Sequence, residues 1–402
     1  MKFRRRRYSP DGRRPNDTVI ADCRFLPRRI IWGFFVALNN DKEFMQLALR
    51  LAEKARGKTL PNPMVGAVVV KNGRIAGRGY HKGPGNAHAE VAAIKSAGVK
   101  TKGATIYVTL EPCCHTGRTG PCTEAIIAAG IKKIVYACKD FSPLVNGKGA
   151  AALRRAGLKV ENGLMKDEAI KLNEVYFNIV KKKRPFVTLK IAQTLDGRIA
   201  TMSGDSKWIT GKDARTYAHQ LRSENEAVLV GMGTVKADNP SLTIRYLKGN
   251  NPYRIVVSES LEFPTSCKLI ANNRDHKTII ATTKRSLAKY SRNKKTNSLT
   301  FWEIKKSGKN RLNLSDILQK AYAFGIHSIL VEGGSQMATS FLKAKLVDKL
   351  VVITAPLFLG SGLNSIGNLE IGAIKNAIKL KNYFRFQCGQ DQVFVGYPDW
   401  KN

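Results

Sequence analysis

From Asp41 onward, apolar residues recur at helical spacing: Phe44, Leu47, Ala48, Leu51, Ala52 and Ala55 fall on one face, and Gly57 is placed to end the helix. The period then changes. Val65 to Val70 is a continuous apolar run of strand length, Asn72-Gly73 is a strong hairpin signal, and Arg74 to Tyr80 reads as the returning strand. A helix from His88, a strand over Ala104 to Leu110, a helix from Pro121, a strand over Lys133 to Cys138 and a helix from Gly147 follow. This alternation predicts a layered α/β domain.

The charged run Lys181-Lys182-Lys183-Arg184-Pro185 separates two apolar segments and is the predicted boundary, expected as a linker or a short surface turn. Beyond it the pattern predicts strands over Phe186 to Ala192 and Ala227 to Val230, with a helix over Gly211 to Ser223 between them. Ser328 to Val331 is a strand, Gly333-Gly334 a turn, Ser335 to Lys343 a helix, and Lys349 to Thr354 another strand. The lysine-rich stretch from Lys284 to Lys309 reads as variable surface. The expected organisation is a tail over 1–40, one α/β domain over 41–183 and a second over 184–402.

Composition narrows the function. A chain of 402 residues with 43% hydrophobic content can bury more than one core. The net charge of +38 favours anionic partners, whether phosphorylated small molecules or nucleic acid. Dispersed lysines read as solvated faces, no RNA-binding motif is visible, and a nucleic-acid partner is not expected. Seven cysteines in so long a chain fit a reducing, cytoplasmic setting, with Cys23, Cys138, Cys267 and Cys388 read as ordinary, partly buried thiols. No apolar run reaches bilayer-spanning length, so no membrane association is expected. Arg4 to Arg7, Arg13 and Arg14 precede the apolar Ile30 to Leu38, but Asp11, Asp17 and Asp22 interrupt any signal-like pattern; a basic, disordered tail is the expectation. The sequence leaves oligomeric state open, a homo-oligomer included.

Three cysteines cluster: Cys113, Cys114 and Cys122. His88-Ala89-Glu90 opens one predicted helix, and Glu111-Pro112-Cys113-Cys114-His115 with Pro121-Cys122 brackets the start of another. One imidazole and two thiolates make a good zinc set, and three protein ligands leave a fourth position for a water that zinc acidifies. His88, Cys113 and Cys122 are the candidate ligands. Attack by hydroxide on an aminated ring carbon needs one proton removed and one delivered to departing ammonia, and Glu90 is the candidate carrier. Cys114 is the rival ligand, although adjacent residues rarely aim at one tetrahedral centre, and His115 stays unassigned.

These residues, with Pro61-Asn62-Pro63-Met64-Val65-Gly66, resemble the bifunctional deaminase/reductase family of riboflavin biosynthesis. That family separates its ligand cysteines widely, as residues 114–121 separate Cys113 from Cys122 here, whereas nucleoside and tRNA deaminases carry Pro-Cys-x-x-Cys. The resemblance implies a cytidine-deaminase-like three-layer α/β/α domain followed by a dihydrofolate-reductase-like α/β domain. It also implies one zinc ion per chain, NADPH, and a pyrimidine ribosyl phosphate substrate that loses its ring 2-amino group and then has its ribose reduced to ribitol. Asn62 and Asp140 match positions near the pyrimidine, although Asp140-Phe141-Ser142-Pro143 departs from the family's Asp-Pro-x-Pro.

Read alone, Gly231-Met232-Gly233-Thr234 and Gly333-Gly334-Ser335 are strand-ending glycine turns that let backbone amides approach phosphate, and neither matches a Rossmann fingerprint. The resemblance covers the same segments and Lys190 to Ala200. It implies NADPH contacts from Ala192, Trp208, Thr234, Asp238, Ser260, Gly334, Ser335, Gln336, Met337, Ala338, Thr339 and Ser340. It implies substrate contacts from Ser206, Arg222, Leu242, Arg245 and Glu332; an arginine fork suits the phosphate. The role of Lys190 stays open. Two rivals remain: a nucleic-acid base deaminase with an unrelated second domain, and a structural zinc module whose basic tail binds DNA.

Overall fold

The computed structural model describes residues 40–116, 120–247, 249–264, 266–291, 299–308 and 311–400. The expected basic tail therefore lies outside the described residues, apart from Asn40. There the Asn40 side chain accepts a hydrogen bond from the Glu43 amide at 3.0 Å and caps α1 (Asp41–Glu53).

The first half continues as β1 (Gly66–Lys71), β2 (Arg74–Tyr80), α2 (Ala89–Ala97), β3 (Thr105–Leu110), α3 (Cys122–Ala128), β4 (Lys133–Cys138), α4 (Lys148–Arg155), β5 (Lys159–Asn162), α5 (Lys166–Leu172) and α6 (Glu174–Lys182). Its strands form one sheet in the order β2-β1-β3-β4-β5, antiparallel on the β2-β1-β3 side and parallel from β3 to β5. The apolar run in β1 has a simple cause: Ala67 and Val69 face a core beneath α2, α3 and α4, while Val68 and Val70 face one beneath α1 and α5. Both faces are covered, so alternation disappears and three layers result.

The second half comprises β6 (Phe186–Thr194), β7 (Arg198–Ala200), α7 (Lys212–Glu224), β8 (Ala227–Gly231), α8 (Met232–Asp238), β9 (Tyr253–Val257), α9 (Lys268–Ala271), β10 (Thr278–Thr282), α10 (Lys284–Ser291), β11 (Thr300–Glu303), α11 (Leu314–Ala323), β12 (Ser328–Val331), α12 (Ser335–Lys343), β13 (Lys349–Ala355), β14 (Leu363–Asn364), β15 (Leu380–Cys388) and β16 (Asp391–Pro398). The nine-stranded sheet runs β11-β10-β9-β8-β12-β6-β13-β16-β15, and β7 pairs with β14 apart from it. From β11 to β13 all six pairings are parallel, which brings the carboxyl ends of seven strands, with the turns that follow them, to one edge of the sheet. Ligands of parallel sheets bind at such carboxyl ends.

Two readings of the sequence need correction and one is narrowed. Lys284 to Lys309 is not simply surface: Leu299 and Phe301 pack on one face of the sheet while Trp302 and Ile304 are buried on the other, a strand alternation hidden among lysines. The charged run at 181–185 is the short turn the sequence allowed rather than a free linker: α6 extends through Lys182, β6 starts at Phe186, and Lys182 and Arg184 close on the buried Asp348 at 2.6–2.8 Å. That carboxylate also accepts the Val187 amide, so two cations of the run neutralise a charge in the second half while Lys181 and Lys183 stay exposed. Cys138, Cys267 and Cys388 are fully rather than partly buried.

The two halves are further joined through α6. Glu174 accepts from Lys349 at 2.9 Å and from the Tyr397 hydroxyl at 2.5 Å, both in the second half.

Candidate active sites

The first site is assembled from three element ends. His88 is the residue before α2, Cys113 follows β3, and Cys122 opens α3. Close packing sets these positions: a Cβ on Gly79 of β2 would lie 2.3 Å from the Ala89 carbonyl oxygen, and one on Gly149 of α4 would lie 2.0 Å from the Pro112 oxygen. Only glycine lets α2 and α4 approach so closely.

The Nδ1 atom of His88 is 3.0 Å from the Cys122 sulfur and 3.5 Å from the Cys113 sulfur, and the three donor atoms all lie within 4.8 Å of one another. In a tetrahedral zinc site, bond lengths of about 2.0 and 2.3 Å put nitrogen and sulfur ligands about 3.5 Å apart. The donor set therefore fits zinc, the Cys122 contact being somewhat tight. A hydrogen bond from the Cys122 thiol, supported by His88, holds Cys113 well below the usual thiol range, so a thiolate is available; the same pairing pushes Cys122 up. Glu90, in the first turn of α2, is buried, and burial raises it to about 7.

The neighbours are sorted by their contacts. Cys114 aims at the Leu144 carbonyl, 3.8 Å away, and is not in the cluster. Glu111 accepts the Gly147 and Ala150 amides at 3.0 and 3.1 Å and so caps α4 instead of reaching the metal position. His115 is exposed and close enough to bias the Asp140 charge. Asn62 lies 3.2 Å from His81 Nε2, and His81 Nδ1 lies 3.3 Å from the Ala87 carbonyl. With Nδ1 donating to that carbonyl, Nε2 accepts from the Asn62 amide, which orients the Asn62 side chain. Asp140 accepts from the Ser142 amide and from the Tyr176 hydroxyl at 2.9 and 3.0 Å.

The second site lies at the carboxyl edge of the large sheet. Arg222 on α7 and Glu332 after β12 form a two-pronged pair, both contacts 2.7 Å, with side chains only 13% and 9% exposed. Burial would raise Glu332, but the Arg222 guanidinium more than offsets it, with help from Lys190, and leaves it at about 2. Burial also lowers the Lys190 ammonium. Much of the Arg222 fork is thus committed to Glu332, and its remaining nitrogen donates to the Thr243 carbonyl at 3.2 Å. His219, one helical turn earlier, accepts the Arg245 amide at 3.2 Å. Leu242 is buried at φ 51°, a left-handed conformation that costs a non-glycine residue about 1–2 kcal/mol, and these two α7 side chains tether the loop that carries it.

The proposed cofactor residues occupy the same edge. The Gly334 amide donates to the Thr234 hydroxyl at 3.2 Å, linking the β12 and β8 turns. Thr339 accepts the Gly367 amide and donates to the Ser335 carbonyl. A Cβ on Gly333 would lie 2.4 Å from that of Met337, so this turn demands glycine. Ala192 is half-buried, Gln336 and Ser260 are exposed, Asp238 ends α8, and Ser340 is half-buried. Ala338 points into the core, so only its backbone is offered to a ligand. Trp208 is largely exposed with the Arg215 guanidinium over its ring at 4.6 Å, and the Ser206 carbonyl accepts the Ile209 amide nearby.

Comparison with known proteins agrees with both halves. Residues 38–138 match the zinc-binding region of cytidine and deoxycytidylate deaminases, and residues 185–392 match the RibD C-terminal domain. The riboflavin biosynthesis protein RibD of Aquifex aeolicus is 47% identical over 88% of this chain and 97% of its own length. The chain belongs to the RibD family. Among solved structures, RibD of Acinetobacter baumannii superimposes with a TM-score of 0.78 at 35% identity, covering 89% of this chain and 99% of that one. A diaminohydroxyphosphoribosylaminopyrimidine deaminase/5-amino-6-(5-phosphoribosylamino)uracil reductase from Thermotoga maritima gives 0.77 at 36% identity, covering 89% and 98%. As a RibD family member the chain is a bifunctional deaminase and reductase of riboflavin biosynthesis, built from a cytidine-deaminase-like domain and a RibD reductase domain, and it acts on a small-molecule pyrimidine. Among the described residues no helix is long and apolar enough to cross a membrane.

Within this family member, sequence reasoning missed His81, Tyr176 and His219. Each acts through a partner distant in sequence, and a lone histidine or tyrosine on an amphipathic segment carries no signal of that.

Proposed function

We propose that residues 41–183 deaminate 2,5-diamino-6-(5-phosphoribosylamino)pyrimidin-4(3H)-one and that residues 184–402 then reduce the ribosyl group of the product, 5-amino-6-(5-phosphoribosylamino)uracil, with NADPH. The observation that carries the reading is the His88, Cys113 and Cys122 donor set with the buried Glu90 two residues from His88. A zinc ion held by those three residues supplies Lewis acidity and a water acidified to near neutral pH. Glu90, poised near 7 by burial, takes a proton from the attacking water and returns it to the 2-amino group as ammonia departs. Asn62, oriented by His81, and Asp140, held by Tyr176, position the pyrimidine ring.

In the second half NADPH would be held at the carboxyl edge of the sheet by Ala192, Trp208, Thr234, Asp238, Ser260 and the turn and helix from Gly334 to Ser340. It supplies the hydride that reduces the ribosyl carbon. Arg245 takes the ribose phosphate, because much of the Arg222 fork is occupied by Glu332; Arg222 and Glu332 present a fixed wall to the sugar with Ser206 and Leu242. The lowered Lys190 ammonium beside Glu332 eases proton release to the opening ring oxygen. A cytoplasmic setting suits the free thiols and the reduced cofactor. The test is ammonia release and NADPH oxidation by the zinc-loaded chain given the diaminopyrimidine. Ammonia first and NADPH consumption second is the expected order; neither signal from folded protein overturns the reading.

A further inference from the structure

A cavity of about 560 Å³ opens at the carboxyl ends of β10 and β11, lined by Lys284, Arg285, Lys305, Lys306 and Lys320 among others. Its volume suits one nucleoside phosphate. Two of the cations, Lys284 and Arg285, stand in the first turn of α10, which Thr283 caps by accepting the Ser286 amide at 3.1 Å. The helix's partial positive charge points the same way as theirs. Glu303 and Asp316 also line the cavity, so five cations face two carboxylates. Lys306 pairs with Glu259 at 2.5 Å, and Asp316 accepts the Lys305 amide. Among the described residues no ion pair is recorded for Lys284, Arg285, Lys305 or Lys320, and Lys284 and Arg285 are exposed. Such a cavity is suited to an anion of more than one charge.

Its position says which anion. The parallel strands β12, β8, β9 and β10 are consecutive neighbours, so their carboxyl ends form a row stepping about 4.8 Å at a time, roughly 14 Å from β12 to β10. The Gly334 turn stands at the β12 end, Thr234 follows β8, and Ser260 follows β9. The next step along the row is Thr283, Lys284 and Arg285. The wall between Ser260 and the cavity is braced by its neighbour Glu259, whose side chain meets Lys306 and whose carbonyl accepts from Thr282 at 3.4 Å.

We propose that this cavity receives the adenosine end of the dinucleotide and that Lys284 and Arg285 bind its 2′-phosphate, which makes them the residues that select NADPH over NADH. The proposal rests on the cofactor reading above, with the nicotinamide at the β12 end of the row. The 2′-phosphate is the one group by which the two cofactors differ, and it falls at the end where uncommitted cations gather.

The test uses the full chain, the deaminated intermediate as substrate, and both cofactors. Lys284→Ala and Arg285→Ala each raise the KM for NADPH about tenfold, as expected for loss of one charge-assisted contact, while kcat stays within twofold. The NADH parameters barely move, so the NADPH-to-NADH preference falls about a hundredfold in the double variant. Adenosine 2′,5′-bisphosphate competes with NADPH in the wild type and loses its hold on the double variant, whereas AMP and inorganic phosphate inhibit both proteins alike. Equal losses with the two cofactors, or no loss with either, would overturn the assignment. A wild-type chain that oxidises neither cofactor would instead remove the cofactor reading beneath it.

Discussion

Replacing Arg222 with Met, or Glu332 with Gln, leaves one member of a nearly dry ion pair without its charge partner. Glu332 sits at about 2 against an ordinary value of 4.5, and at about 1.4 kcal/mol per tenfold that difference is worth about 3 kcal/mol. Solvent screening discounts this little, because the carboxylate is 9% exposed. Breaking a buried pair by removing one partner costs about 3–5 kcal/mol, whereas replacing both by apolar residues of similar volume is often close to neutral. The expected result is a loss of about 3 kcal/mol in each single variant and recovery of most of it in Arg222→Met/Glu332→Leu. Guanidinium unfolding followed by tryptophan fluorescence reads the right region, since Trp208, Trp302 and Trp400 all lie in the second half. The folded value lies below the unfolded one, so the contribution is complete above about pH 5 and is lost as pH falls toward 2. The gap between wild type and Glu332→Gln therefore closes over that interval. Additive losses in the double variant, with no coupling, would refute the argument that the two charges stabilise each other.

Three further outcomes are expected. Glu90→Gln keeps the metal but lowers deamination by about 10²–10⁴-fold while reduction of the deaminated intermediate continues, which paired ammonia and NADPH assays will show. Chelation of zinc abolishes ammonia release and leaves NADPH oxidation with the deaminated intermediate intact, and added zinc restores the first activity. His219→Ala frees the loop bearing Leu242 and Arg245 and raises the KM of the reductase substrate about tenfold with kcat nearly unchanged, and His219→Asn restores part of the loss. Burial, then Arg222 and Arg245, holds His219 at about 4, so as pH falls below 6.5 the unfolded chain gains a proton first. About 3 kcal/mol of wild-type stability disappears by pH 4, a loss that thermal melts of His219→Asn should lack.

Much of this protein is determined by local sequence. Periodicity alone places α1, the β1-β2 hairpin and the alternating elements through α4, because each buries a face whose spacing is a property of its own backbone. The zinc set is legible for a related reason. His88, Cys113 and Cys122 sit at element ends, where residue type and spacing are constrained together. Selection among near neighbours was a tertiary matter. Cys114 turns to Leu144 and Glu111 caps α4, contacts made across the fold that the chain does not show at those positions. Strand β11 is masked in the sequence because its alternating Phe301 and Trp302 are set among lysines, and only two opposed cores reveal which faces they fill. The Arg222–Glu332 pair, the tethering of the Leu242 loop by His219 and the closure of Lys182 and Arg184 on Asp348 join residues 26 to 166 positions apart. Such contacts depend on how distant elements pack, and each is held by burial that no single segment possesses before the sheet has formed.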